Sequence, residues 1–223
     1  MGLTVLEVVL GAIASILITI SVESLRKPRL QLIVTAPCDL QYPTGPAKQG
    51  RFLHVGLVNK PLPRALQWMQ RNAALQCHGT IAFHHLDGQK VFERVMSVRW
   101  SFSTEPIPIR GYVDGKPIVI WDPTRYVPVT RRDVYPGETE TAKLDIGARF
   151  DDERDCYGWC NDNYLSNPPW RNPEWRLPAG RYLVRIVVRS SGEECAGVFR
   201  LINDVPQSDF RLEPALPDDR VRD

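Results

Sequence analysis

Leu3 to Val22, LTVLEVVLGAIASILITISV, runs twenty residues with Glu7 as its one charged side chain. A helix rises about 1.5 Å per residue, so a run of about 20 apolar residues crosses about 30 Å of hydrocarbon. The alternative is a secretory signal, which opens on basic residues and ends a shorter apolar stretch at a small-residue cleavage site. Here the opening MGLTVLE carries no Lys or Arg, and Glu23, Arg26, Lys27 and Arg29 follow the run. An uncleaved membrane anchor over residues 1–25 is therefore expected. A soluble core helix is disfavoured because the run is apolar on nearly every face. Basic residues beside a span stay in the cytoplasm. Arg26, Lys27 and Arg29 form a basic juxtamembrane segment over 26–29 on the C-terminal side alone. The expected topology is single-pass, with the N-terminus outside and the following domain cytoplasmic.

Glu7, Gly11, Ser15 and Thr19 recur every four residues and so share one ridge of the expected helix. Small and polar residues on one face let helices approach closely in lipid. The ridge is a candidate for self-association or for docking on another span. Against this, Gly, Ser and Thr are common in spans, and Glu7 lies near enough to the interface to snorkel.

Residues 30–213 suffice for one domain with a proper core, and 214–223 read as a polar tail that frays. Twenty-eight basic against 26 acidic residues leaves a net charge of +2, with no basic block that would point to nucleic acid. Neither phosphate-cradling glycine motif occurs. Alternation with β-branched content predicts strands at Leu30–Val34, Arg51–Asn59, Leu75–His84, Lys116–Trp121, Thr141–Phe150, Arg181–Arg189, Ala196–Ile202 and Asp209–Glu213. Turn sequences separate them at 43–46, 86–88, 113–117, 135–138, 177–180 and 190–192. Many short strands and few helical patterns indicate a mainly β fold of the sandwich type. The exception is Leu62–Ala74, LPRALQWMQRNAA, where Leu66, Met69 and Gln70 are spaced for a short helix on the sandwich edge. Packing on the sheet is its favoured role; Trp68 with Arg64 and Arg71 would also suit contact with anionic lipid.

The anchor, the RKPRL segment, and the pieces HVGLVNK, ALQCHGTIAF, VRWS and LPAGRYLVRIVV…VFRLIND together resemble uncharacterised prokaryotic single-pass membrane proteins. In that group a small immunoglobulin-like sandwich follows the anchor. The resemblance implies that architecture and no catalytic residues.

Catalytic and metal chemistry finds little footing. Cys38, Cys77, Cys156, Cys160 and Cys195 are odd in number and do not form a secreted disulfide framework. A reducing cytoplasm would also oppose disulfides. Cys156 and Cys160 make a C-x3-C pair, but structural zinc needs a second short pair. The adjacent residues Cys77-His78 and His84-His85 would point to opposite faces of a strand. A pairing of Cys156 with Cys160 or Cys38 stays open. His54, His78, His84 and His85 fall on predicted strands and read as half-exposed polar residues. Asp151, Asp152, Glu153 and Asp155 could face a hard cation but lack the ligand spacing of a calcium loop, so a solvated acidic turn is preferred. No metal ligand set and no cofactor is assigned.

The densest candidate is DCYGWCNDNYLSNPPWRNPEW, 155–175. Tyr157, Trp159, Tyr164, Trp170 and Trp175 crowd a connection of about 30 residues, and long loops are more often functional. Pro168, Pro169 and Pro173 would stiffen it. The aromatics are either a binding platform or a plug folded over one end of the sandwich, and the plug is favoured because tryptophan buries so much area. Three functions stay open: a non-enzymatic interaction or sensing module at the inner face, an accessory subunit of a larger membrane complex, and a metal-dependent or hydrolytic enzyme centred on Asp151–Cys160. The partners expected are membrane lipid, through the N-terminal helix, and a protein or a second copy of the chain.

Overall fold

The computed structural model describes residues 4–41, 47–66, 68–103, 109–120, 128–138, 142–164, 166 and 171–221. Leu3, the turn at 43–46, Trp121, Thr141, Pro168, Pro169 and Trp170 lie outside them.

Helix α1 spans Val5–Arg26. Thr4 caps it: the Glu7 amide donates to Thr4 Oγ1 at 3.4 Å, and the Thr4 amide donates to the Glu7 carboxylate at 2.8 Å. This reciprocal box satisfies two backbone donors that a helix start leaves unpaired. The helix stops at Lys27, whose ψ of 140° is extended. Pro28 follows, and a residue before proline is pushed out of the helical region. The domain covers none of the helix's apolar window.

Two antiparallel sheets follow. The first orders β1 (Leu30–Val34), β3 (Gln49–Asn59), β10 (Lys143–Phe150), β11 (Cys156–Gly158) and β12 (Arg176–Leu177), with β2 (Cys38–Gln41) on β3 and β6 (Arg99–Trp100) on β10. The second orders β15 (Arg211–Pro214), β14 (Glu194–Ile202), β13 (Arg181–Arg189), β4 (Ala74–His84) and β5 (Met96–Ser97), with β9 (Arg132–Val134) on β4. A separate hairpin joins β7 (Ile109–Val113) to β8 (Lys116–Ile120) through Asp114-Gly115, both at positive φ. That is the turn an Asp-Gly pair favours.

The expected alternation holds along β3 and β4. Leu53, Val55 and Leu57 are buried, as are Cys77, Ile81 and Phe83, and they share one core with Val184, Ile186 and Val188 of β13. Each such side chain contributes about 1.5–3 kcal/mol. Strand β10 breaks the rule. Its register slips between Asp145 and Gly147, a bulge at Ile146. Leu144 and Ile146 join the central core, whereas Ala148 and Phe150, still at even positions, join a second cluster with Ala47, Phe52, Tyr157 and Trp159. One inserted residue has moved the second half of the strand to the other face.

Two corrections concern helices. The described residues hold a second helix, α2 (Asn161–Tyr164), inside the aromatic connection. The helix expected at Leu62–Ala74 is instead one tight turn at Arg64–Leu66. The Asn72 amide donates to the Arg26 carbonyl at 2.7 Å, and the Arg71 guanidinium donates to the Lys27 carbonyl. These long-range bonds take the groups a helix would need, and so short a helix has little stability of its own to compete with them. Trp68 is left 79% exposed rather than packed on a sheet.

The segment at 216–219, expected to fray, is also held. The Arg200 guanidinium grips the Asp219 carboxylate with two bonds of 2.6 Å, and the same carboxylate accepts from the Leu216 amide.

Candidate functional site

The aromatic connection folds into three short elements, and its rings part company. Trp159 stands edge-on to Phe52 at 5.0 Å, and Tyr157 lies 6.5 Å from Phe150, all on the outer face of the first sheet. Trp175 lies in the central core, edge-on to Phe92 at 5.3 Å. The three rings are 4–5% exposed. A stacking platform needs an open ring face; as placed, these rings stack on the protein. Tyr164 lies at the end of α2, and Trp170 is outside the described residues.

The acidic run clasps this connection. Asp152 binds Arg171 at 2.9 and 3.1 Å, and Glu153 contacts the same guanidinium, which also sits 4.5 Å over the Phe150 ring. Asp155 accepts from Arg176 Nε at 2.6 Å, and Asp151 accepts from the Lys48 amide at 2.9 Å. The Tyr157 hydroxyl donates to Glu153 at 2.9 Å; burial, and then that bond, push it up to about 12. These bonds hold the acidic run against the arginines and amides around it.

All five cysteines are free thiols. Cys156 and Cys160 are fully buried. Burial pushes Cys160 up to about 12 and Cys156 higher still, so both are held as protonated, apolar groups. Cys77 is raised to about 11 for the same reason. Among the described residues no group of three or more His, Cys, Asp or Glu side chains is placed to hold a metal.

One polar row escaped the sequence reading. His54 Nδ1 lies 2.9 Å from Asp145 Oδ1, and the Arg99 guanidinium binds the other carboxylate oxygen. Arg99 also donates to the Ser103 carbonyl at 3.2 Å. The three side chains cross β3, β10 and β6 in register. A His-Asp pair is two thirds of a hydrolytic triad, but the hydroxyl nearest in the bonding pattern, Thr35 Oγ1, donates to the His54 carbonyl at 3.0 Å rather than to its ring. Arg99 balances the carboxylate, so the row reads as a buried ion pair.

A second network sits where the helix meets the domain. Asn59, fully buried at the end of β3, accepts from the Arg29 amide at 3.1 Å. Its own amide donates to the Asn72 carbonyl at 2.9 Å and the Val134 carbonyl at 3.3 Å. One side chain thus ties the segment after α1, the 60–73 connection and β9 together. Between these parts lies a cleft of about 560 Å³ lined by Arg26, Leu62, Met69, Arg71, Tyr135 and neighbouring backbone.

On the candidate association ridge, the Glu7 carboxylate is engaged in the helix cap, and Thr19 Oγ1 donates to the Ser15 carbonyl at 2.9 Å. A Cβ on Gly11 would meet nothing within 4 Å. The Gly11 position thus faces open space.

The geometry defines a mainly β protein of two antiparallel sheets, with one N-terminal helix long and apolar enough to cross a membrane. Compared with known proteins, the chain matches no family model, no curated protein and no solved structure.

Proposed function

We propose that this chain is a single-pass membrane-anchored interaction module, non-enzymatic, with an immunoglobulin-like domain on the cytoplasmic side. The observation that carries the reading is the uncovered helix α1, whose last residues, Arg26 and Lys27, pass into a hydrogen-bond network that grips the domain. A helix with apolar faces all round requires lipid or other spans around it. Support for the immunoglobulin-like assignment comes from strand order. The β1-β3-β10 and β14-β13-β4 triplets match the A-B-E and G-F-C arrangement of that fold. The Tyr182 hydroxyl also donates to the Pro178 carbonyl at 2.9 Å, the corner bond found at the start of strand F. The paired carboxylates and the protonated thiols of the 151–160 stretch favour an interaction role over catalysis. The partner on this reading is another span or a second copy, packed along Gly11, Ser15 and Thr19.

Cys38 is an exposed native thiol and reports the side of the domain. A membrane-impermeant maleimide should leave it unmodified in intact cells and modify it after permeabilisation. Modification in intact cells would reverse the topology. For the span, a membrane dimerisation reporter should lose signal with Gly11→Leu; an unchanged signal removes the ridge as the contact.

A further inference from the structure

Arg71 is an unusual cation. It is 6% exposed, its Nε has no hydrogen-bond partner, and among the described residues it has no carboxylate partner. Buried charges are normally paired, because desolvation costs several kcal/mol otherwise. Its one bond goes to the Lys27 carbonyl at the end of α1. It lines the cleft beside the helix end together with Arg26, while Leu62 and Met69 supply apolar wall. Exposed Arg64 and the 79% exposed Trp68 stand on the same connection. The 2.7 Å bond from the Asn72 amide to the Arg26 carbonyl fixes this connection at the last turn of the helix. Glu23, at 3.5 Å from Arg26, is a weak exposed partner, and Glu194 is taken by Arg189 at 2.7 Å. A buried guanidinium with no carboxylate partner among the described residues, lining a cleft at the end of an apolar helix, suits an anionic ligand.

We propose that the cleft seats the headgroup of an acidic phospholipid, with its phosphate between Arg71 and Arg26 and Trp68 at the boundary of headgroup and acyl chain. The inference rests on α1 being a span. Guanidinium suits phosphate because its donors match two oxygens at once. Tryptophan is the side chain that prefers this depth. Each uncompensated basic group near an anionic surface favours contact about fivefold.

The test uses the full chain in vesicles whose acyl chains are brominated, either on phosphatidylglycerol or on phosphatidylcholine. Bromine quenches tryptophans at the membrane, and the difference between the native chain and Trp68→Phe isolates this ring from the others. That difference should be about fivefold larger in phosphatidylglycerol. It should fall to the phosphatidylcholine level in Arg71→Gln, which keeps a donor for the Lys27 carbonyl, and in Arg26→Gln. Inorganic phosphate at millimolar concentration should not compete, whereas competition would assign the cleft to a free anion and overturn the lipid assignment. Equal quenching in both lipids, or full quenching in both arginine variants, would also overturn it. Should Arg71→Gln fail to fold, by circular dichroism, Arg26→Gln carries the test. Flotation and alkaline extraction of the same vesicles separate the two readings. A chain that is stripped off removes the span, whereas a chain that stays embedded without Trp68 quenching removes the headgroup site alone.

Discussion

Asn59→Ala should loosen the joint between helix α1 and the β domain without rearranging the sheets. Asn59 makes three hydrogen bonds across three separate segments, at 3.1, 2.9 and 3.3 Å. A hydrogen bond contributes about 1 kcal/mol net, and a buried partner left unsatisfied costs about 1–3 kcal/mol. The bond to Val134 is long, and the Arg29 and Asn72 groups are partly buried, so water can recover some of the loss. The expected destabilisation is about 2–4 kcal/mol. With a urea slope of about 2 kcal/mol per molar, the unfolding midpoint of the full chain in detergent should drop by about 1–2 M. Hydrogen exchange should localise the change to the Arg29 amide and residues 60–73, while β13 and β14 keep their protection. Asn59→Asp sharpens the test. A carboxylate still accepts from Arg29 but sets an acceptor against two carbonyls, so it should be worse than alanine at neutral pH. The gap should close on acidification, when the protonated group donates again. A midpoint within 0.3 M of the native chain (roughly 0.6 kcal/mol at that slope) for Asn59→Ala would refute the view that this side chain holds the collar.

Other outcomes follow from the same contacts. Asp145→Ala removes the carboxylate that balances Arg99, which is 3% exposed, and should cost about 3–5 kcal/mol by urea unfolding. Trp175→Ala empties the core beside Phe92 and should cost about 3–5 kcal/mol, so that loss of folding, not of binding alone, marks it as a packing residue. A thiol reagent at pH 8 should modify Cys38 in the native chain and reach Cys156 and Cys160 only in denaturant, because burial holds both protonated. Arg200 holds the Asp219 carboxyl below its usual range. The clamp on 216–219 is thus complete above about pH 4, the unfolded carboxylate value, and is lost as pH falls through the lower folded value. Hydrogen exchange at the Leu216 amide against pH reads this directly, and flat protection down to strong acid would count against it.

The apolar length of the N-terminal run, the alternation in Leu30–Val34, Arg51–Asn59 and Arg181–Arg189, and the Asp-Gly and Ser-Gly turns were all legible in the sequence, because each is a property of neighbours along the chain. That large rings in the aromatic connection favour burial was readable from their size, but not that Trp175 would enter the central core while Tyr157 and Trp159 join a separate cluster. What the linear pattern could not carry was pairing at a distance. His54 and Asp145 are 91 residues apart, and Arg99 is 46 from Asp145. Only the alignment of three strands makes them a row. The bulge at Ile146 sends Phe150 to a second face that strict alternation denies. The helix expected at Leu62–Ala74 yields to bonds that Asn72 and Arg71 donate to the Arg26 and Lys27 carbonyls, which lie outside any local window. The sequence by itself determined a long apolar N-terminal helix followed by a mainly β domain, since hydrophobic period and turn chemistry act over a few residues. Tertiary structure decided where the charges stand, leaving Arg71 buried beside the helix end with no carboxylate partner among the described residues. A buried polar group takes its meaning from partners that only the folded chain brings near.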